Sequence, residues 1–332
     1  MTTVAKPKLT LSKALNEGLR KALENNPKAL IMGEDVGKLG GVFRVTDGLQ
    51  KDFGEARVID TPLAESGIIG TAIGLALRGY RPICEIQFDG FVFPAFDQIV
   101  SQLAKMRYRS LGYIRLPVVV RIPFGGGIGA VEHHSESPEA LFVHTPGLRV
   151  ISCGDPADAY TMIQQAAISD DPVIFFEPKR RYWDRADVDI DADLATALPM
   201  DRARVLVPGT DVTVLCYGPM VRTCAEAAVA AGSDGRSLEI IDLRSLAPLD
   251  TATIFESVRK TGRCVVVHEA VVTGGIGAEI AAQVTQECFY NLEAPVMRVG
   301  AYSTPYPPSR LEEYYLPDLD RILDAVDLTF GY

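Results

Sequence analysis

The most informative stretch of the sequence is Asp60-Thr61-Pro62-Leu63-Ala64-Glu65-Ser66-Gly67, at the junction between a short apolar run and a helix-forming segment. The helix-forming segment continues through residue 76 with glycines at intervals and carries no further charge before Arg78. Glycines let another backbone approach a helix closely, and a carboxylate in such apolar surroundings is costly to bury without a partner. Glu65 is therefore either an acid that binds a ligand or an acid that favours the positive end of the helix dipole.

Strand-like and helix-like segments alternate on both sides of this stretch. The sequence predicts strands at residues 29–33, 58–59, 81–87 and 117–122, and helices at residues 10–23, 65–76 and 95–108. Such alternation is typical of parallel βαβ units. Continuous apolar strands such as residues 118–120 suit a sheet that is covered on both faces.

A charged stretch between residues 185 and 204 has no helical period and interrupts this pattern. A second alternation follows, with strands predicted at residues 212–218, 238–243 and 264–269 and a helix at residues 221–231. The sequence therefore predicts an α/β protein with two doubly wound domains. Their expected bounds are residues 1–185 and 205–332, joined by a linker at residues 186–204.

Composition indicates an ordinary globular enzyme subunit. The chain has 332 residues, of which 47% are hydrophobic, which suffices for two cores. Its formal charge of −10 argues against nucleic acid or an anionic membrane as a partner. The six cysteines form no Cys-x-x-Cys pair, so neither a zinc site nor a disulfide framework is indicated. No apolar run approaches the roughly 18 residues of a membrane span, and residues 1–8 lack the apolar core of a signal peptide, so a cytoplasmic location is expected.

Several further motifs follow the Glu65 stretch in a fixed order. They are Glu85-Ile86-Gln87-Phe88, Phe91-Val92-Phe93-Pro94-Ala95-Phe96-Asp97-Gln98, Gly125-Gly126-Gly127-Ile128-Gly129, His133-His134-Ser135, Ile241-Asp242-Leu243-Arg244 and Leu292-Glu293-Ala294-Pro295. In this order the chain resembles, from about residue 9 to its end, the β subunit of the thiamine-diphosphate-dependent decarboxylating component of 2-oxo acid dehydrogenase complexes. The resemblance implies a pyrimidine-binding domain followed by a transketolase C-terminal-like domain.

The resemblance assigns the cofactor-binding residues. Glu65 matches the acid of the family's Pro-Leu-x-Glu motif, which hydrogen-bonds the aminopyrimidine ring of thiamine diphosphate. A buried carboxyl that shares a proton with this ring stabilises the tautomer that deprotonates the thiazolium carbon. Leu63 and Phe91 would contact the pyrimidine, and Gln87 would supply a neutral hydrogen-bonding wall. For these last three residues ordinary packing is the competing interpretation. Related sequences often carry Tyr in place of Phe91.

Histidines are scarce, and two of the four are adjacent at His133 and His134. An imidazole beside a glycine-rich loop can donate to a substrate carboxylate or move a proton during acyl transfer. The motif His134-Ser135-Glu136-Ser137-Pro138-Glu139 matches the family's catalytic histidine to His134. His133 has the weaker claim. His144 and His268 are expected to be structural, and no histidine pair has metal-ligand spacing, so no metal site is predicted in this chain.

One family motif is missing. Thiamine-diphosphate enzymes hold Mg²⁺ and the diphosphate with a Gly-Asp-Gly motif, which this sequence lacks. Gly154-Asp155-Pro156 comes nearest, and its proline favours a turn into a helix. The resemblance therefore implies an α subunit that holds Mg²⁺ and the diphosphate, in an α2β2 heterotetramer. It also implies a structural K⁺ held by backbone carbonyls.

The predicted function follows from this resemblance. With its α subunit the chain would use thiamine diphosphate to decarboxylate a branched-chain 2-oxo acid and acylate a lipoyl group on the dihydrolipoyl acyltransferase core. Pyruvate is the alternative substrate. A non-catalytic scaffold subunit is the alternative from another class, although retention of Glu65 and His134 argues against it. A self-sufficient relative of transketolase is disfavoured because the diphosphate motif is missing.

Overall fold

The computed structural model describes residues 6–332. Residues 1–5, which belong to the predicted first domain and to the segment examined for a signal peptide, lie outside the described residues. The strands are β1 (Lys8–Thr10), β2 (Ala29–Gly33), β3 (Val58–Asp60), β4 (Arg81–Glu85), β5 (Val119–Phe124), β6 (Arg149–Ser152), β7 (Val173–Pro178), β8 (Arg185–Asp187), β9 (Arg204–Val207), β10 (Val212–Cys216), β11 (Leu238–Asp242), β12 (Ser245–Ala247), β13 (Cys264–Val271) and β14 (Met297–Ala301). The helices are α1 (Leu11–Asn25), α2 (Leu49–Phe53), α3 (Glu65–Leu77), α4 (Met106–Arg109), α5 (Glu139–Val143), α6 (Pro156–Ile168), α7 (Met220–Ser233), α8 (Thr251–Thr261), α9 (Ile276–Cys288), α10 (Glu312–Tyr315) and α11 (Leu319–Leu328).

Two mixed sheets organise the chain. Over residues 6–332 the first has seven strands in the order β12-β6-β7-β5-β4-β2-β3, and every pair except β12 with β6 is parallel. The second has the order β14-β13-β10-β11-β9, with β9 as its antiparallel edge. Central strands such as β5, β7 and β10 are buried along their whole length, as strands covered on both faces must be. The predicted α/β class with two doubly wound sheets is confirmed.

Helices cover both faces of each sheet. In the first sheet α1 packs against α6, and Gly18 of α1 allows this contact because a Cβ there would meet Ile163 at 2.4 Å. The opposite face carries α3 and α5. In the second sheet α7 and α11 cover one face, and α8 and α9 cover the other. One apolar cluster includes residues of α3, α8 and α9, so the two sheets share a continuous core.

The predicted helix at residues 95–108 is wrong in its details. The chain forms a 3₁₀ segment at Asp89–Ala95, a π-helical segment at Gln98–Leu103 and only then the short helix α4. Pro94 cannot donate a backbone hydrogen bond, and the Ala104 N–H donates to the Ile99 carbonyl five residues back at 2.9 Å. Helical periodicity in the sequence does not reveal such an irregular path.

The predicted linker contains ordered strands at both ends. β8 pairs with β1 in a small antiparallel ladder, and β9 begins at Arg204 and joins the second sheet. Across residues 6–332 no helix is both long and apolar enough to cross a membrane.

Candidate functional site

The predicted site residues gather where the parallel strands of the first sheet end. Glu34 follows β2, Glu65 follows β3 after a four-residue turn, and Gln87 follows β4. The glycine-rich loop follows β5, and His134 lies beyond it in a 3₁₀ turn at Glu132–His134. Because β5, β4, β2 and β3 are neighbours, their carboxyl ends form one edge of the sheet. Ligands of open α/β sheets bind at this kind of edge.

Glu65 is the first residue of α3 and is only 6% exposed. A second acid, Glu34, is also buried. Burial and, after it, the charge on Glu65 raise the pKa of Glu34. Within the described residues Glu34 Oε1 is buried without a hydrogen-bond partner. A raised pKa leaves Glu34 more readily protonated, so this acid can share a proton with a ligand at the site.

Glu34 was not predicted from the sequence. The available signal was its position directly after an apolar strand that borders the strand preceding Glu65. Gln87 Nε2 donates to the Glu34 carbonyl at 3.4 Å and to Asp35 Oδ2 at 3.3 Å, so it lies beside this acid. Leu63, in contrast, is 78% exposed. Leu63 is therefore open to a ligand or a partner and makes little contact within its own chain.

His134 lies among aromatic rings. Its ring centroid is 4.1 Å from that of Phe88 and 5.1 Å from that of Phe91, with the Phe91 contact edge to face. Burial, followed by His133 and Lys179, lowers the pKa of His134. Nδ1 is buried without a hydrogen-bond partner within residues 6–332. The imidazole is therefore neutral at neutral pH and has a nitrogen free to accept or pass a proton.

A buried ion pair fixes the loop that carries His134. Lys179 follows β7 and pairs with Asp89, and both side chains are fully buried. The second oxygen of Asp89 accepts the backbone N–H of Glu136 at 2.7 Å, two residues beyond His134. Lys179 also lies 5.5 Å from the centre of the Phe88 ring. Sequence reasoning did not find Asp89 or Lys179, since nothing in a single sequence joins residues 90 positions apart.

The glycine-rich loop is held by carboxylates from the second half of the chain. The Gly127 and Gly129 N–H groups donate to the two oxygens of Glu312 at 2.8 and 3.1 Å. The Gly126 N–H donates to Glu269. A Cβ at Gly126 would lie 1.8 Å from the Tyr306 hydroxyl, so this position requires glycine. The loop is thus tied to the second half of the chain.

Of the remaining histidines, His133 borders this aromatic cluster, with its ring centroid 4.4 Å from that of His134, whereas His144 and His268 lie apart from it. His133 is exposed and its Nδ1 lies 3.5 Å from Glu132, and His144 is exposed at the end of α5. His268 is fully buried in β13, and its Nδ1 lies 2.9 Å from the Ala270 carbonyl oxygen. Burial lowers the pKa of His268 to about 4. A neutral buried imidazole packed in this way has a structural part in the fold.

The carboxyl, amide and aromatic groups of the site can hydrogen-bond and stack on a heterocyclic ring, whereas few of them are placed to bind a metal ion. Within residues 6–332 no cluster of three or more His, Cys, Asp or Glu side chains could hold a metal ion. Asp155 caps α6, accepting the Asp158 N–H at 2.9 Å, and also pairs with Arg204. Gly154-Asp155-Pro156 is therefore the turn into a helix that its proline predicted.

Comparison with known families covers nearly the whole chain. Residues 7–183 match the family described as transketolase, pyrimidine binding domain, and residues 201–322 match transketolase, C-terminal domain. A pyruvate dehydrogenase E1 component subunit beta from Leifsonia xyli subsp. xyli is 59% identical over 324 residues, which cover 98% of this chain and 95% of that protein. A 3-methyl-2-oxobutanoate dehydrogenase subunit beta from Mycobacterium tuberculosis is 53% identical over 320 residues, covering 96% and 91% of the two chains.

The fold is also similar to that of a solved structure described as a split gene transketolase, inactive beta4 tetramer. The TM-score is 0.80 at 25% identity, and the match covers 97% of this chain and 98% of the other. Sequence and fold therefore agree over both halves of the molecule.

Proposed function

Because the chain belongs to the family of β subunits of the thiamine-diphosphate-dependent decarboxylating component of 2-oxo acid dehydrogenases, we propose that it supplies the pyrimidine half of a split active site. The observation that carries the proposal is Glu65, a buried carboxyl at the ligand-binding edge of the first sheet, with Glu34 beside it. When bound, thiamine diphosphate supplies the carbanion that attacks the oxo carbon of the acid.

Glu65 is proposed to hold a proton between its carboxyl and the pyrimidine ring. Gln87 offers an amide beside the same edge, and Phe91 offers an aromatic face next to His134. Leu63, exposed in this chain, is proposed to cover the pyrimidine. The unpartnered Glu34 Oε1, within the part of the chain described, agrees with a site that a further polar group completes.

Mg²⁺ and the diphosphate are proposed to lie on an α subunit, in an α2β2 heterotetramer. Mg²⁺ requires hard oxygen ligands. The sequence has no Gly-Asp-Gly, and Asp155, the nearest match, already caps α6. Within residues 6–332 no group of three or more His, Cys, Asp or Glu side chains could hold a metal ion, which supports a Mg²⁺ site on the α subunit. The structural K⁺ implied by the resemblance is tested by measuring potassium in the purified complex.

His134 is proposed to act on the acyl group. A neutral imidazole there can pass a proton to or from a lipoyl sulfur during acyl transfer to the acyltransferase core, or hydrogen-bond the substrate carboxylate when protonated. The Phe88 and Phe91 rings around it favour an acid with an apolar side chain, so branched-chain 2-oxo acids are our first choice. The 59% identical Leifsonia relative, named for pyruvate, supports pyruvate as the alternative.

We also propose the division of the chain into residues 1–185, 186–204 and 205–332. It is supported by the separate families matched by residues 7–183 and 201–322. The ladder between β1 and β8, in which Lys8 pairs with Asp187, supports a first unit that ends near this residue.

The test is 2-oxo acid decarboxylation by this chain alone and co-expressed with its α subunit. Thiamine diphosphate and Mg²⁺ are supplied, and 3-methyl-2-oxobutanoate is compared with pyruvate. Activity in the pair and not in the single chain is expected, with the higher kcat/KM for 3-methyl-2-oxobutanoate. Activity of the single chain would overturn the split site. A higher kcat/KM for pyruvate would replace the proposed substrate.

A scaffold role without catalysis makes a different prediction. A scaffold would leave decarboxylation unchanged when Glu65 is replaced, and acyl transfer unchanged when His134 is replaced, in an intact heterotetramer. His134→Asn is expected to retain CO₂ release with an artificial electron acceptor and to lose acyl transfer to a lipoyl domain. Equal loss of both reactions would contradict the acyl-transfer role of His134.

A further inference from the structure

A cavity lies between the two halves of the chain, behind the loop that carries His134. Its volume is about 310 Å³, at the lower end of the roughly 300–1,000 Å³ of small-molecule pockets, and such pockets often occur between domains. One wall comes from residues 135–141 and the opposite wall from residues 269–275 and 304–306. We call it the interdomain cavity. Neither Glu65 nor His134 lines it.

The ionisable side chains that line the interdomain cavity are acids and tyrosines. Glu136 and Glu269 are its carboxyl groups, and no Lys, Arg or His is among its lining residues over positions 6–332. Arg180 lies behind Glu269, with its Nε 3.5 Å from Glu269 Oε2. Within residues 6–332 no Lys or Arg side chain pairs with Glu136. Burial, and after it the charge of Glu132, raises the pKa of Glu136, and the neighbouring His133 lowers it less. A carboxylate with this environment is stabilised by a cation.

Two lining groups are also left without hydrogen bonds. The Ser135 hydroxyl is 1% exposed and, within the described residues, has no hydrogen-bond partner. Glu269 Oε2 also accepts no hydrogen bond there, but it is compensated by the charge of Arg180, whose Nε lies 3.5 Å away. Buried polar atoms of native proteins usually have a partner, so the unpartnered Ser135 oxygen indicates a hydrogen-bond donor at this place. The rest of the wall is apolar, formed by Phe93, Leu141, Val271 and Pro305.

We propose that the interdomain cavity binds a small organic cation, a primary ammonium with a short aliphatic tail. The ammonium would donate to Glu136 and to the unpartnered Ser135 oxygen, and the tail would contact the apolar wall. A bare metal ion fits less well, because no group of three metal-binding side chains occurs within residues 6–332. The acids of the wall would repel 2-oxo acids and amino acid carboxylates, so this site is distinct in its chemistry from the substrate site.

Calorimetric titration of the full-length chain, co-purified with its α subunit, tests the proposal. The probe is isobutylamine at neutral pH, compared with isobutanol, which has the same carbon skeleton without the charge, and with isobutyrate, an anion. Binding of isobutylamine and at least about tenfold weaker binding of the other two is expected. No saturable heat with isobutylamine, or equal binding of isobutanol, would overturn the proposal. Neither cofactor nor 2-oxo acid is added, so the result is independent of the proposed function.

Variants locate the binding. Glu136→Gln should weaken isobutylamine binding about tenfold. Glu132→Gln is the matched control, since Glu132 lies on the same loop, is exposed and does not line the cavity, and it should leave the affinity within about twofold. Ala140→Phe, which places a ring in the cavity, should abolish binding even if Glu136→Gln proves unstable. Unchanged affinity in Glu136→Gln or Ala140→Phe would place the amine elsewhere and refute the site.

Discussion

At the scale of single residues, Glu65 combines burial with a second acid at close range. A buried carboxyl that hydrogen-bonds a ring nitrogen is able to exchange a proton with it. Glu65→Gln keeps the shape and a hydrogen bond but removes the exchangeable proton. We expect decarboxylation to fall by about 10²–10⁴-fold.

The measurement is CO₂ release by the heterotetramer, with its mass checked by size-exclusion chromatography. Glu55→Gln is the matched control, because Glu55 is exposed in the loop before β3. Full activity of Glu65→Gln would remove Glu65 from the chemistry, and loss of assembly would make it a structural residue instead.

Lys179 and Asp89 form a pair that is buried on both sides. Removing one partner of a buried ion pair leaves an unpaired charge and typically costs about 3–5 kcal/mol. Lys179→Met should therefore lower the free energy of unfolding by about that amount, and Asp89→Asn combined with Lys179→Met should cost less. Urea unfolding of Lys179→Met, Asp89→Asn and the double variant measures the difference. A double variant as unstable as Lys179→Met would show that the pairing is not what matters.

The same lysine acts on His134 through its charge. Lys179 is one of the groups that lower the pKa of His134, so Lys179→Met should raise it. The acid limb of the pH profile for lipoyl acylation should then move to higher pH in the variant. An unmoved profile with reduced activity would mean that Lys179 only supports the loop.

At the scale of elements, β13 and α9 meet around a buried histidine. A Cβ at Gly275, Gly277 or Gly300 would lie within 3.0 Å of the His268 ring, so the glycines before and within α9 allow it to pack closely on β13. The contact of these glycines with the His268 ring explains why glycine is required at each of the three positions. Protonation of the His268 ring would therefore disrupt the packing of α9 on β13.

The pKa of His268 gives the direction of a pH effect. The pKa falls to about 4 in the folded chain from an ordinary value near 6.5. A lowered histidine pKa stabilises the fold fully above about pH 6.5, and this contribution is lost as the pH falls towards about 4. Between pH 7.5 and pH 5 the loss should be about 2 kcal/mol. Urea midpoints of the wild-type chain and His268→Gln over this range measure it, and parallel pH dependence of the two would contradict the assignment.

Predictability differed between elements for physical reasons. Strands β2, β4 and β10 were predicted closely because continuous apolar runs bounded by turns need only local information. The segment at residues 95–108 failed because a proline and a π-turn depend on how it packs. Glu65 and His134 could be named from motifs, whereas Glu34, Asp89 and Lys179 required knowing which strands are neighbours.

At the scale of the whole molecule, α3 has a face that this chain does not cover. After Glu65 and Ser66 the helix contains only Gly, Ile, Thr, Ala and Leu. A helix apolar on all sides is normally buried, yet Gly67, Thr71 and Gly74 are exposed. If an α subunit completes the site at Glu65, it must approach this face.

Gly74→Trp tests that geometry. A Cβ at Gly74 meets nothing within 4 Å, so the chain should fold with the larger residue, while the heterotetramer should fail to form. Gly232→Trp is the matched control, because Gly232 is an equally open, exposed glycine on α7. Analytical ultracentrifugation of co-expressed subunits gives the outcome. An intact heterotetramer with Gly74→Trp would place the α subunit on another surface.

The position of β12 limits where the coding sequence can be divided into two separately folding parts. β12 belongs to the second half of the sequence, yet it is the edge strand of the first sheet, where it pairs with β6. A first half produced by itself would leave β6 as a bare edge whose unpaired amide and carbonyl groups can recruit strands from other molecules. Domain shuffling with related enzymes would therefore have to exchange β12 together with the sheet it closes. A break in the gene between the two matched families would therefore separate an edge strand from its sheet.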